Sequence, residues 1–124
     1  MRTVLIADDE PSMRLLVSVT IDSEHYDVVE ATNGDEAWRL MNELRPSVAL
    51  LDVQMPGYTG LELAAAIKGD PRLRDTMVIL LTSKAQEAEI QAGLAAGADR
   101  YLTKPFSPLE LLNVVEQAMQ ASPG

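Results

Sequence analysis

Five short runs of strand-like composition alternate with segments of helical periodicity, about one run in every 25 residues. In order along the chain they read "TVLIA" (3–7), "DVVEA" (27–31), "SVALL" (47–51), "TMVIL" (76–80) and "DRYLT" (99–103). The first, third and fourth are almost wholly apolar, which is typical of strands in a parallel sheet covered by helices on both faces. "DVVEA" has polar ends and is expected nearer an edge. The pattern predicts a three-layer α/β fold of five βα units.

The segments between these runs carry apolar stripes at helical spacing. Three stripes are clear: Met13, Leu16, Val17 and Ile21; Ala37, Leu40, Met41 and Leu44; Leu111, Val114, Val115 and Ala118. Pro11 is expected to open the first helix and Asn33 to cap the second. Gly97 suits a left-handed residue after the fourth helix.

Length and composition favour one domain. The chain has 124 residues, of which 47% are hydrophobic, enough for a single core. We expect that domain to occupy residues 1 to 121, with "SPG" at 122 to 124 as a tail or the start of a linker. No apolar run approaches the roughly 20 residues of a membrane span, and no signal peptide is predicted.

Charge and cysteine content exclude several classes of function. Ten Lys and Arg against nineteen Asp and Glu give a net charge of −9, which argues against direct binding to nucleic acids or anionic membranes. The absence of Cys excludes disulfides, thiolate catalysis and zinc–thiolate sites, and suits a reducing cytoplasm. A cytoplasmic location is therefore expected.

Acidic residues follow two of the predicted strands. Asp8 and Asp9 come after the first strand and Asp52 after the third. If these strands are neighbours, the carboxylates converge, and two unit charges 4 Å apart repel by about 4 kcal/mol at an effective dielectric constant of 20. Such a cluster implies a cation, and Mg²⁺ fits because it takes oxygen ligands and keeps places for water and phosphate.

Two further polar residues end the remaining inner strands. Thr82 follows the fourth strand and Lys104 the fifth, so both are expected at the same crevice. A metal, a hydroxyl, an ammonium and a carboxylate around one pocket form a phosphoryl site, in which Asp52 can act as the nucleophile. Taken singly, the acidic pair also fits a helix N-terminus and Asp52 also fits a turn. The functional interpretation rests on the set.

Five spaced motifs carry a family resemblance: "DDE" (8–10), "LLDVQMPG" (50–57), "LTSKA" (81–85), "GAD" (97–99) and "YLTKPF" (101–106). In their order and spacing the chain resembles the receiver domains of two-component response regulators over essentially its whole length. The resemblance implies a doubly wound, flavodoxin-like (CheY-like) fold with a five-stranded parallel sheet of order 2-1-3-4-5. It also implies a phosphoacceptor switch whose phosphoryl group is supplied by a histidine kinase or a phosphotransfer protein.

The resemblance further assigns the metal ligands and the phosphoacceptor. Asp52 is implied to accept the phosphoryl group. Asp9, Asp52 and the backbone carbonyl of Gln54 are implied to bind Mg²⁺, or Mn²⁺ in its place, with Asp8 acting through a bound water.

The same resemblance assigns the switch. Thr82 is implied to donate a hydrogen bond to a phosphoryl oxygen and Lys104 to pair with another, with a cis bond between Lys104 and Pro105. The ring of Tyr101 is implied to turn inward when Thr82 moves. The surface formed by residues 86 to 120 would then bind a second copy, an attached effector or a separate target.

Gln54 and Lys84 lie two residues after Asp52 and Thr82, respectively. The family resemblance implies that they border the path of the water that attacks the aspartyl phosphate. We expect both side chains to tune its lifetime.

Three other interpretations stay open on the sequence. A phosphohydrolase of the haloacid-dehalogenase type also uses an Asp nucleophile and Mg²⁺, but its second acid would stand where the chain has Gln54. A receiver-like interaction module would act without phosphorylation, although the acid, Thr and Lys set is complete. A flavin or nucleotide carrier lacks support, because no Gly-rich loop follows the first strand.

Overall fold

The residues described by a computed structural model of the chain form one five-stranded parallel sheet with five helices around it. The structure describes residues 2 to 21, 25 to 83 and 87 to 122. The strands are β1 (Arg2–Ala7), β2 (Tyr26–Ala31), β3 (Val48–Asp52), β4 (Met77–Ser83) and β5 (Arg100–Lys104). The helices are α1 (Pro11–Thr20), α2 (Gly34–Leu44), α3 (Gly60–Gly69), α4 (Glu87–Ala95) and α5 (Pro108–Ala121).

The strand order is β2-β1-β3-β4-β5, with every neighbouring pair parallel. This confirms the order implied by the family resemblance and makes β1 and β3 neighbours. The three apolar runs are the three inner strands, and β2, with its polar ends, is an edge strand as predicted. β5, which carries Lys104, is the other edge strand and not an inner strand as expected from the sequence. The winding reverses between β1 and β3, where open α/β sheets place their ligands.

Two apolar clusters lie on opposite faces of the sheet. Leu5 and Ala7 of β1 belong to the cluster under α2 and α3, whereas Val4 and Ile6 belong to the cluster under α1 and α5. Helix α4 lies on the α2 and α3 side, where its Gly93 approaches the side chain of Leu80. Because successive side chains of a strand alternate between faces, an inner strand covered on both faces must be apolar throughout.

Three strands end later than the sequence pattern predicts. They end at Asp52, Ser83 and Lys104 rather than at residues 51, 80 and 103. The parallel ladder continues through Asp52 opposite Leu81 and Ser83 opposite Lys104. A polar side chain does not interrupt backbone pairing, so side-chain polarity places these strand ends too early.

The predicted helix signals are confirmed. Pro11 is the first residue of α1, and the side chain of Asn33 accepts a hydrogen bond from the N–H of Glu36 at 2.8 Å. Gly97 follows α4 with a φ of 108°. Within the part of the chain that the structure describes, no helix is long and apolar enough to cross a membrane.

Candidate functional site

An ammonium bridges two buried carboxylates at the carboxyl ends of the strands. Asp8 directly follows β1, and Asp52 and Lys104 are the last residues of β3 and β5. The Nζ atom of Lys104 lies 2.9 Å from Oδ2 of Asp8 and 3.4 Å from Oδ2 of Asp52. Asp8 is fully buried, and Asp52 exposes 6% of its surface. The predicted convergence of these three residues is therefore present in the structure.

Backbone groups orient both carboxylates. Oδ1 of Asp8 accepts a hydrogen bond from the N–H of Glu10 at 2.9 Å, and Oδ1 of Asp52 accepts one from the N–H of Gln54 at 3.2 Å. The N–H of Asp8 itself donates to the carbonyl of Ala31 at 3.2 Å. Each carboxylate therefore keeps its second oxygen for the bridging ammonium.

The position of Asp52 depends on a close approach between α3 and β3. The N–H of Gly60 donates to the carbonyl of Val53 at 3.1 Å. A Cβ atom at Gly60 would overlap the carbonyl oxygen of Asp52. Only glycine lets α3 begin this close to the strand end that carries the carboxylate.

The environment of Asp52 disfavours its charge. Burial and the neighbouring charge of Asp8 raise the pKa of Asp52 from its usual 3.8 to about 6, although Lys104 and the Gln54 N–H act in the opposite direction. Burial alone would lower the pKa of Lys104, but its hydrogen bond to Asp8 and the carboxylates around it outweigh burial and raise it. The site holds more negative charge than one ammonium neutralises.

A cleft of about 450 Å³ opens beside this ion cluster. The described residues that line it are Asp9, Glu10, Asp52, Gln54, Met55, Pro56, Ser83 and Lys104. Asp9 and Glu10 are exposed, so the cleft joins the buried carboxylates to solvent. Lys104 also lines this cleft, so its ammonium borders the same space as the carboxylates.

The acidic groups of the cleft suit a hard divalent cation. Carboxylate oxygens of Asp8, Glu10 and Asp52 lie within 4.8 Å of one another. Such an oxygen-only donor set fits Mg²⁺, which binds one or two carboxylates and retains water. Asp9, a predicted ligand, lines the cleft outside this group of three.

The predicted switch residues are placed in different environments. Thr82 is fully buried, and its hydroxyl donates to the carbonyl of Ser83 at 3.3 Å. Tyr101 exposes 47% of its surface on β5. The Lys104–Pro105 bond is cis, as the resemblance implies. Lys84 lies outside the described residues, as does residue 86, the first of the proposed output surface.

Two polar residues of the cleft, Glu10 and Ser83, have no role assigned from the sequence. Glu10 lies in the "DDE" motif, directly after the two predicted acids, and its Oε1 is 3.6 Å from Nζ of Lys104. Ser83 directly follows Thr82 and ends β4. Both could have been found by extending each strand-end motif by one residue, because several consecutive residues at a strand end border the same crevice.

Comparisons with known proteins agree with this geometry. The family model described as "Response regulator receiver domain" matches residues 4 to 116. The phosphate regulon transcriptional regulatory protein PhoB of Pseudomonas aeruginosa is 40% identical over 111 residues, covering 90% of this chain and 48% of that protein. The transcriptional regulatory protein ResD of Bacillus subtilis is 39% identical over 109 residues, covering 88% and 44%. The chain spans about half the length of the curated relatives it matches.

Solved structures show the same fold. The chemotaxis response regulator CheY4 of Vibrio cholerae superposes with a TM-score of 0.87 at 35% identity, covering 95% of this chain and 98% of that one. The REC domain of AraT, a response regulator from Geobacillus stearothermophilus, also gives 0.87, at 32% identity with coverages of 96% and 93%. With the family model matching most of its length, the chain belongs to the receiver domains of two-component response regulators.

Proposed function

We propose that Asp52 accepts a phosphoryl group from a histidine kinase or a phosphotransfer protein in a Mg²⁺-dependent reaction. The observation that carries this proposal is the Lys104 ammonium held between the buried carboxylates of Asp8 and Asp52 at the mouth of an acidic cleft. Membership of a family of signalling switches also favours this function over a phosphohydrolase.

Asp52, Lys104 and Thr82 each have a role in the transfer of the phosphoryl group. An oxygen of Asp52 attacks phosphorus and forms the acyl phosphate, while the bond from phosphorus to the donor nitrogen breaks and its electron pair stays on the donor. Lys104 pairs with a phosphoryl oxygen, and Thr82 donates a hydrogen bond to another. Water later hydrolyses the acyl phosphate and restores the carboxylate.

Metal binding is proposed for the acidic side of the cleft. We propose Asp9, Asp52 and the backbone carbonyl of Gln54 as ligands, with Asp8 acting through water. Mg²⁺, or Mn²⁺ in its place, supplies positive charge that offsets the charge of the transferring phosphoryl group. Glu10 adds a further carboxylate within reach of this group.

The proposed output is a change in the surface formed by residues 86 to 120. Phosphorylation adds a charge of about −1.5 to −2 and strong acceptors, which pull on Thr82 and Lys104. Tyr101 exposes 47% of its surface, and Leu109, eight residues later on α5, exposes 65%. We propose that a second copy, an effector domain or a separate protein binds here, since relatives include a DNA-binding response regulator, MtrA.

Intact mass tests the phosphoacceptor directly. The protein is incubated with a small acyl phosphate donor, with and without Mg²⁺. We expect one phosphoryl addition that requires Mg²⁺, is absent in Asp52→Asn and is unchanged in Asp27→Asn, which alters an exposed carboxylate on β2. No addition to a folded, metal-binding protein would instead favour an interaction module that acts without phosphorylation.

The lifetime of the acyl phosphate tests the rate-tuning residues. We expect Gln54→Ala and Lys84→Ala to change the rate at which phosphate is released from the phosphorylated protein, because both positions are proposed to border the path of water. Phosphate release is followed after the donor has been removed. A rate equal to that of the wild type in both variants would contradict these roles.

A further inference from the structure

The loop of residues 53 to 59, between β3 and α3, forms one wall of the acidic cleft. Gln54, Met55 and Pro56 of this loop line the cleft. The backbone carbonyl proposed as a metal ligand belongs to the same loop. Whatever holds this loop in place therefore sets the geometry of the cleft.

The loop lies against the first turn of α2. The N–H of Gly34 donates to the carbonyl of Pro56 at 2.9 Å. A Cβ atom at Gly34 would overlap the carbonyl oxygen of Tyr58, so the loop and the helix meet backbone to backbone. Gly57, with a φ of 79°, faces the carboxylate of Asp35, which would lie 3.0 Å from a Cβ atom at that glycine.

Trp38 extends this contact one turn along α2. Its ring lies 6.4 Å from the ring of Tyr58, centroid to centroid, at an interplanar angle of 56°. Tilted aromatic pairs at this distance attract each other in addition to burying apolar area. Trp38 also packs against the apolar core under α2 and α3, whereas Tyr58 exposes 44% of its surface. Trp38 thus connects the core to the outer side of the loop.

The first turn of α2 is itself well anchored. The side chain of Asn33 accepts a hydrogen bond from the N–H of Glu36 at 2.8 Å, and the carboxylate of Glu36 accepts one from the N–H of Thr32 at 2.7 Å. A capped helix end of this kind is a rigid support for the loop.

We propose that Trp38 is a positioning residue of the metal site: through Tyr58 it holds the loop of residues 53 to 59, and so it sets the affinity of the cleft for a divalent cation. This inference rests on the proposed function in one respect, that the cleft binds Mg²⁺. Trp38 is the single tryptophan of the chain, so tryptophan fluorescence reports on the surroundings of this one residue.

Calorimetric titration with Mg²⁺ measures the proposed effect. We expect Trp38→Leu to weaken Mg²⁺ binding about tenfold, the low end of the range for residues that orient metal ligands indirectly. Trp38→Phe keeps a ring against Tyr58 and should bind with a Kd close to that of the wild type. Tyr58→Ala removes the other ring from an exposed position and should weaken binding as Trp38→Leu does, even if Trp38→Leu folds poorly.

Leu40→Ala is the matched control. Leu40 lies on the same helix and packs against the same core, so its truncation lowers stability without removing the ring contact. We expect its Kd for Mg²⁺ to stay at the wild-type value. In the wild type, Mg²⁺ should also change the fluorescence of Trp38, and this change should shrink in Tyr58→Ala.

The outcomes separate this inference from the proposed function. An unchanged Kd in both Trp38→Leu and Tyr58→Ala, with Mg²⁺ bound normally, would overturn the positioning role and leave the phosphoacceptor function standing. Equal weakening in Leu40→Ala would overturn it as well, because the effect would then be one of general stability. A wild-type protein that binds no Mg²⁺ would overturn both proposals.

Discussion

At the scale of single residues, the candidate site contains buried negative charge that lowers the stability of the folded protein. Asp8 and Asp52 are buried side by side with one bridging ammonium, and the pKa of Asp52 is raised to about 6. A raised carboxyl pKa means that ionisation of the group destabilises the folded state relative to the unfolded chain. The cluster therefore has a deficit of positive charge that a bound cation would supply.

This deficit predicts a stabilised variant. The folded protein binds a proton at Asp52 more tightly than the unfolded chain does, so the destabilisation is absent below pH 4, grows between pH 4 and 6 and is complete above it. Asn cannot ionise, so Asp52→Asn should be more stable than the wild type by on the order of 2 kcal/mol at pH 7.5 without metal. Urea unfolding at several pH values in the presence of EDTA measures the difference.

Asp70→Asn is a control in which the expected change in stability has the opposite sign. The side-chain hydrogen bond from Arg72 lowers the pKa of Asp70, so ionisation of this carboxylate favours folding. Its replacement should reduce stability slightly at pH 7.5. A stability gain in Asp52→Asn that stayed constant down to pH 4 would contradict the argument from burial.

At the scale of elements, the glycine at the start of α3 decides how closely this helix approaches the site. A Cβ atom at Gly60 would overlap backbone at the end of β3, whereas one at Gly69, in the last turn of the same helix, would have nothing within 4 Å. The two glycines therefore separate a packing effect from a helix-propensity effect.

Alanine substitutions at the two glycines are expected to have opposite effects on stability. Gly60→Ala should destabilise the protein by about 1 to 3 kcal/mol and weaken Mg²⁺ binding, because α3 must move away from Asp52. Gly69→Ala should be neutral or stabilising by up to about 1 kcal/mol. Thermal unfolding and calorimetric titration of the two variants test this, and equal stability in both would disprove the close approach.

A second element-scale feature lies at the opposite end of the sheet. Oδ2 of Asp99 accepts hydrogen bonds from Lys68 at 2.7 Å and from the N–H of Val78 at 2.8 Å. Lys68 also donates to the carbonyl of Thr76 at 2.6 Å. These contacts join α3 to the start of β4 and to the residue that precedes β5.

This network should contribute far more to the free energy of unfolding than an exposed ion pair does. Asp99→Ala leaves the partly buried ammonium of Lys68 without its counter-ion and the N–H of Val78 without its side-chain acceptor, so we expect a loss of about 2 kcal/mol. Glu43→Ala, which removes the exposed pair between Arg39 and Glu43 on α2, should change stability by about 0.5 kcal/mol or less. Urea unfolding compares the two, and equal losses would count against the network.

At the scale of the whole molecule, cation binding and folding are coupled. A ligand that binds only the folded state stabilises it by mass action. Millimolar Mg²⁺ should therefore raise the Tm, and the rise should be smaller in Asp9→Asn. Differential scanning fluorimetry with and without Mg²⁺ tests both. An equal rise in Asp9→Asn would place the cation with Asp8, Glu10 and Asp52 instead of with Asp9.

Much of the fold followed from the sequence alone. The apolar runs determined which strands are inner ones, because a strand covered on both faces must be apolar at every position. The caps at Pro11, Asn33 and Gly97 depend on the conformation of single residues, so local sequence was sufficient there. The convergence of Asp8, Asp52 and Lys104 followed once polar residues were placed at strand ends and the family resemblance made β1 and β3 neighbours.

Other features were decided only by the tertiary structure. The inclusion of Glu10 in the acidic group, the bridge that Lys104 makes, and the contact between Trp38 and Tyr58 join residues whose distances depend on how elements pack. The strand ends at Asp52 and Ser83 likewise depend on a neighbouring strand to pair with. Sequence pattern reports the local preference of each segment, whereas side-chain distances across segments and the charge balance of a buried site exist only after the elements have come together.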